Sequence, residues 1–352
     1  MQAFVPDYRH IVQAATNQEP ERLPLYEHLI SPKIMEQVLN TEFAALIDGN
    51  ESERLEFFRQ YCRFFQTMGY DTVSFECCIG EVMPGSGCLG AHKEPAIRDR
   101  ADFERYPWDE VEERYFQKYT PYFRALAETM PAGMKAIGGV GNGIFECVQD
   151  IVGFMQLCYL SVDDRQLYED LFRRMYEVSR RIWERFLREF GDIYCVVRFG
   201  DDLGYKVNTL LPAEDVRQVI LPWYQQLVAL IHSRHKPFLL HSCGCIFEIM
   251  DDLIGTVKID AKHSNEDAIA PFPVWVEKYG DRIGNFGGID TDAVCRLSRV
   301  EMKEYITDVI RQCRGRGGFA FGSGNSIPDY VPVEGYRNMV EIVRELRGDF
   351  RA

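Results

Sequence analysis

His241 and Cys243 stand one residue apart at the end of an apolar run, Lys236-Pro237-Phe238-Leu239-Leu240-His241-Ser242-Cys243-Gly244-Cys245. Successive side chains of a strand point to opposite faces, so these two share a face. An imidazole beside a thiolate is a borderline-soft donor pair suited to zinc. The same spacing also describes a buried histidine beside small buried thiols. Spacing alone supplies no third or fourth ligand: Cys245 continues the period, but Gly244 is expected to turn the chain away first.

Other polar residues recur where apolar runs end: Glu27 and His28, Glu76, Asn142, Asp201 and Asp202, His263, Asp290, and Asn325. The Asp201-Asp202 pair could serve as general acid and base or orient a substrate, and either aspartate could equally cap a helix. His263 reads as a ligand or base, or as a satisfied loop histidine. His92, in Gly90-Ala91-His92-Lys93, could reach a ligand from a lid, and Cys77-Cys78 read as buried thiols. There is no Walker-type loop, no G-x-S-x-G elbow and no H-E-x-x-H helix. Gly138-Gly139-Val140-Gly141-Asn142-Gly143 is no dinucleotide fingerprint, because Ile144 takes the last glycine position. It reads as a tight loop allowing close backbone approach.

The elements that must position these groups are short β-rich runs separated by helical periodicity. Eight strands are expected: Leu23–His28, Thr72–Cys78, Met134–Val140, Tyr194–Phe199, Pro237–Ser242, Val257–His263, Ile283–Ile289 and Gly318–Ser323. Leu167–Phe190 is an amphipathic helix with Leu171 and Met175 on its apolar face and Arg173, Arg174 and Arg181 on the other. A second runs from Ala213 to about His232. Eight alternations of strand and helix predict a (β/α)8 TIM barrel, with the site at the C-terminal ends of the strands. Residues 1–21 read as a helical extension capping the other end. No linker divides the chain, so residues 1–352 are expected to form a single domain. The long stretches Ile79–Pro131 and Gly141–Gly191 would hold extra helices or lids.

A chain of 352 residues with 46% hydrophobic residues has material for a large core. Forty Lys and Arg against 54 Asp and Glu give a net charge of −14. That charge disfavours nucleic acid and anionic membrane surfaces and favours an enzyme acting on a small molecule. Eleven scattered cysteines, no leader-like start and no membrane-length apolar run predict a reduced, cytoplasmic protein, with a homo-oligomer compatible.

Several segments together resemble the uroporphyrinogen decarboxylase superfamily: Gly200-Asp201-Asp202-Leu203-Gly204, Leu211-Pro212-Ala213-Glu214-Asp215, the Lys236–Gly244 run, Gly287-Gly288-Ile289-Asp290, Gly322-Ser323-Gly324-Asn325-Ser326-Ile327-Pro328 and Pro332-Val333-Glu334-Gly335-Tyr336. The resemblance runs from Arg22 to the C-terminus and implies a (β/α)8 barrel. It also implies one of two chemistries. The decarboxylases carry an R-Q-A-G-R segment after the first strand; this chain has Glu27-His28 there, and Asn325 where they place a late histidine. The other branch comprises methyltransferases working with corrinoid proteins, which this chain resembles in its H-x-C pair. In them the pair helps bind zinc, completed by a cysteine in a late P-G-C segment; here Gly324-Asn325 stands in that place.

The resemblance therefore implies a corrinoid-dependent methyltransferase. His241 and Cys243 would hold zinc, with Cys245, Glu76, Glu81 or His263 completing the shell. Asp201, Asp202 and His263 would serve catalysis, and Glu27, His28, Glu76, Asn142 and Asn325 would line the substrate site. Methylcobalamin would arrive on a separate corrinoid protein, since no D-x-H-x-x-G segment is present; it would dock on the two long stretches, with Tyr106 and Trp108 as anchors. The rivals are a decarboxylase or lyase acting on a carboxylated substrate, and a non-catalytic corrinoid- or tetrapyrrole-binding protein.

Overall fold

The computed structural model describes residues 4–350, so the first three residues of the expected N-terminal extension lie outside the described part. Seven strands form one parallel sheet in sequence order: β1 Thr72–Cys78, β2 Lys135–Gly141, β3 Tyr194–Gly200, β4 Phe238–His241, β5 Ala261–His263, β6 Gly284–Ile289 and β7 Phe319–Ser323. Each neighbouring pair is joined through helical crossovers, the connection that parallel strands require. The sheet curls into a TIM-barrel-like arrangement.

Two expected strands differ. Leu23–His28 forms no ladder of its own: it meets β7 in an isolated bridge, Leu25 with Phe321, closed by Tyr26 N to Phe321 O (2.9 Å) and Phe321 N to Pro24 O (2.9 Å). Pro24 has no N–H, so the ladder cannot extend through it. Gly322 allows the close approach, since a Cβ there would lie 1.7 Å from the Tyr26 carbonyl oxygen. On its β1 side the segment is held by side chains instead. Ser74 Oγ donates to His28 O (2.5 Å), and Arg198 bridges Tyr26 Oη (2.8 Å) and Ser74 Oγ (2.9 Å). The expected strand from Val257 begins four residues late, because Leu253–Val257 is a π-type turn and Lys258 is left-handed (φ 65°).

The helices follow their periodicities. Arg165–Glu189 buries Leu171 and Met175 completely and turns its arginines into surface ion pairs. The second expected helix is interrupted by a π-type turn at Val216–Ile220 before Leu221–His232, directly ahead of Pro222, a residue that removes one helical donor. Helix Arg9–Ala15 closes the N-terminal ends of the strands. Its Ile11, Ala14 and Ala15 are fully buried and pack in one cluster with Ile137, Val196, Leu239 and Phe286 from the inner wall. With that end plugged, the accessible chemistry lies at the opposite, C-terminal end.

Candidate active site

His241 is the last residue of β4, and Cys243 follows it with its Sγ 3.4 Å from His241 Nε2. Gly244, at φ 79°, turns the chain, and Cys245 is carried off into a bridge with Tyr205. The residue that completes the cluster is Asp202, beyond the end of β3. Its Oδ1 accepts from Cys243 N (2.8 Å) and lies 3.8 Å from His241 Nε2. One donor atom each of Asp202, His241 and Cys243 falls within 4.8 Å of the others. Asn325 Nδ2 donates to the same sulfur at 3.3 Å. Burial, and then the Asp202 carboxylate, push the Cys243 thiol above its usual range.

Three histidines stand together at this end. His28 stacks on His241 with ring centroids 3.7 Å apart and planes 10° apart, and His263 Nδ1 lies 2.7 Å from His241 Nδ1. Burial holds all three below the usual histidine range, His263 at about 3, so they are neutral at pH 7. His28, His241 and His263 also bring donor atoms within 4.8 Å of one another. A metal lies in the plane of each imidazole that binds it, however, and two parallel stacked rings cannot share one ion. The cluster of Asp202, His241 and Cys243 is the arrangement that could hold an ion. It offers one nitrogen, one sulfur and one oxygen donor, and three protein ligands with a position left open are what catalytic zinc sites use.

The other expected ligands are committed elsewhere. Glu81 lies on the exposed rim, paired with Lys118 Nζ (2.7 Å) and Tyr119 Oη (2.7 Å). Glu76 is paired with buried Arg198 (2.8 Å) and is 3.8 Å from His28 Nε2. His263 is occupied by His241 and, through Nε2, by the Ser323 carbonyl (3.2 Å).

Asp201 and Asp202 divide their work. Asp201 is fully buried; its oxygens accept from Phe145 N (2.9 Å) and Glu146 N (2.7 Å) at the start of helix Ile144–Val152, and from Tyr224 Oη. It thus caps a helix across the fold, while Asp202 faces the mouth. Asn142, left-handed at φ 62°, holds Gly80 N (3.2 Å) and Glu146 (2.9 Å). Burial and the carboxylates of Asp201 and Asp202 raise Glu146 well above the carboxylate range. Glu27 is buried against Ser323, and burial pushes it up to about 8. Sequence reasoning missed Arg198, Glu146, Tyr224 and Lys262. Two of these carried a signal, being charged residues set inside apolar strands: Arg198 in Val196-Val197-Arg198-Phe199 and Lys262 before His263. Lys262 Nζ lies 3.6 Å over the Trp275 ring, and burial lowers it to about 7.

A cavity of about 460 Å³ opens over Cys243 and Asp202, walled by Glu146, Glu266, Leu210 and Ile269, with Lys206 at its edge. A second, of about 650 Å³, borders Asn325 and is lined by Glu266, Asp267, Asp290 and Asp292, with Arg296 as its cation. The mouth is acidic. Tyr106 and Trp108, expected as docking anchors, are buried at 8% and 4% exposure, with Trp108 Nε1 bonded to Phe103 O (3.1 Å). His92 is exposed and does not join the site.

The sequence matches the family model "Uroporphyrinogen decarboxylase (URO-D)" over residues 81–346, and the chain belongs to that family. A search of curated protein sequences gives no match. Among solved structures the chain is similar to a methyltransferase from Methanosarcina mazei, at 15% identity and a TM-score of 0.76, covering 96% of this chain and 98% of that one. It is also similar to a protein from Listeria monocytogenes described as a vitamin-B12 independent methionine synthase, at 12% identity and a TM-score of 0.50, covering 94% and 100%. At these identities the likeness is one of fold. No helix among the described residues is long and apolar enough to cross a membrane.

Proposed function

We propose that this chain is a methyltransferase that moves a methyl group between a small thiol or methyl ether and a corrinoid carried by a separate protein, with zinc held by Asp202, His241 and Cys243. The observation that carries the reading is the convergence of Asp202 Oδ1, His241 Nε2 and Cys243 Sγ, of which Asp202 and Cys243 line a cavity. Zinc in such a set supplies Lewis acidity, which lowers the pKa of a thiol or polarises a methylated oxygen. The protein's own contribution is positional. Asp202 fixes the Cys243 backbone, Asn325 donates to its sulfur, and neutral His241 presents an unprotonated nitrogen. Glu146 accepts from Asp202 N (3.2 Å) and keeps that loop against the cavity wall.

The decarboxylase alternative needs cations to hold a carboxylated substrate. Of the cations near the mouth, Arg198 is paired with Glu76 and bonded to Tyr26 and Ser74, Arg296 is paired with Asp292, Lys262 is buried over Trp275, and Lys206 stands at the edge of a cavity walled by acids. The test is methyl transfer between methylcobalamin and candidate thiols or methyl ethers, followed through the cobalamin spectrum. Wild type should turn over with zinc, and His241→Ala should be slower by at least about a hundredfold. A spectral change equal in both proteins, or absent across both substrate classes, overturns the reading.

A further inference from the structure

We propose that His263 is a positioning residue that, anchored by Ser323 and Glu27, locks His241 in the Nδ1–H tautomer and so turns the bare Nε2 toward Cys243 and Asp202. The inference rests on the proposed zinc site only for its consequence, since the lock itself belongs to the protein alone.

His263 Nε2 faces the Ser323 carbonyl oxygen at 3.2 Å. A carbonyl only accepts, so the neutral ring must carry its proton on Nε2, which leaves its Nδ1 bare. That bare Nδ1 lies 2.7 Å from His241 Nδ1, a hydrogen-bond distance that requires one proton between the two nitrogens. The proton therefore sits on His241 Nδ1. A neutral imidazole has one N–H, so His241 Nε2 is left with its lone pair, 3.4 Å from Cys243 Sγ and 3.8 Å from Asp202 Oδ1.

Without His263 the preference would reverse. A carboxylate beside Nε2 favours a proton there, and an Nε2–H cannot bind a metal. The partner on His241 Nδ1 thus decides whether the next nitrogen is a donor to hydrogen bonds or a ligand.

The rest of the relay holds the carbonyl in place. Glu27 accepts from both Ser323 N (3.0 Å) and Ser323 Oγ, tying the end of β7 to the Leu23–His28 segment. His28 stacks on His241 and confines the plane of its ring. Among these contacts the one from His263 chooses between the tautomers of His241.

The experiment is long-range 1H–15N correlation of histidine-labelled, metal-free protein at neutral pH, with zinc titration run separately on the same samples. Wild type should show His241 with a protonated Nδ1 and a bare Nε2, and His263 with the opposite pattern. His263→Leu should move the His241 proton to Nε2 and weaken zinc binding by about ten- to a hundredfold. His263→Gln keeps an amide oxygen to accept from His241 and an amide N–H for Ser323, and should restore the wild-type tautomer and zinc affinity to within about threefold. If His263→Leu does not fold, the wild-type spectrum and the Gln variant still decide the matter. A protonated Nε2 on wild-type His241, or an unchanged tautomer in His263→Leu, overturns the proposal. Failure of wild type to bind zinc would remove the metal reading above while the tautomer result stood on its own.

Discussion

Glu27 is 1% exposed, bonded to Ser323, and lifted by burial from 4.5 to about 8. A carboxyl whose folded pKa lies above its unfolded value stabilises the fold fully only below the unfolded pKa. Between about 4.5 and 8 that contribution falls by roughly 1.4 kcal/mol per pH unit, and it is gone above about 8. Glu27→Gln keeps the shape and cannot ionise. Its melting temperature should therefore gain on wild type as pH rises from 5 to 8, and a pH-independent difference would mean that Glu27 is already charged in place. Uptake of the proposed zinc would run the other way. The Cys243 proton must leave before sulfur can ligate, and burial with the Asp202 charge resists that loss. Zinc affinity measured by calorimetry should thus rise by about tenfold per pH unit from pH 6.5 to 8, and vanish in Cys243→Ala. At this scale the sequence was half legible. The i, i+2 spacing placed His241 and Cys243 together, because it needs only a strand. Asp202 joined them from another strand's end, and which aspartate of the pair faced inward depended on Asp201 being drawn to the helix start at Phe145 and Glu146.

Among the elements, runs such as Phe238-Leu239-Leu240 and Cys195-Val196-Val197 announced strands because both faces of a parallel strand are buried. The errors fell where backbone chemistry, not hydrophobicity, decides. Pro24 barred a ladder on one side of the Leu25 bridge, the Glu27 side chain took Ser323 N on the other, and the left-handed Lys258 delayed the strand expected from Val257. Tyr106 and Trp108 were legible as aromatics but not as buried ones, since their hydrogen-bond partners, the carbonyls of Pro84 in a turn and Phe103 in a short helix, follow no periodicity that includes them. Gly322 sits where that segment meets β7 most closely. Gly322→Ala would drive a methyl group into the Tyr26 carbonyl, so a loss of about 1–3 kcal/mol in denaturant unfolding is expected. Stability equal to wild type would show that the segment can move away without cost.

The whole molecule carries 14 net negative charges, and acids also wall both cavities at its open end. A polycarboxylate approaches such a surface against its field and finds Arg198 already paired. Uroporphyrinogen should therefore not be converted to coproporphyrinogen at an enzymatic rate, a result read by product fluorescence; efficient conversion would mean that Lys206 and Arg296, one cation in each wall, suffice against the surrounding acids. The TIM-barrel-like alternation was legible at this scale because the periods of strand and helix determine it. The reaction was not, since one barrel supports several chemistries.

The Leu23–His28 segment and β1 share no backbone hydrogen bond among the described residues, and only side chains stitch them. A ring of strands opens first where its amides have the fewest partners to break. Amide exchange should accordingly be faster along Leu23–His28 than along β2 or β3, whose neighbours hold them on both sides. Because Glu27 and His28 ride on that seam, each excursion would carry the anchor of the histidine relay with it, so that the floor of the mouth breathes in step with the least secured join of its wall.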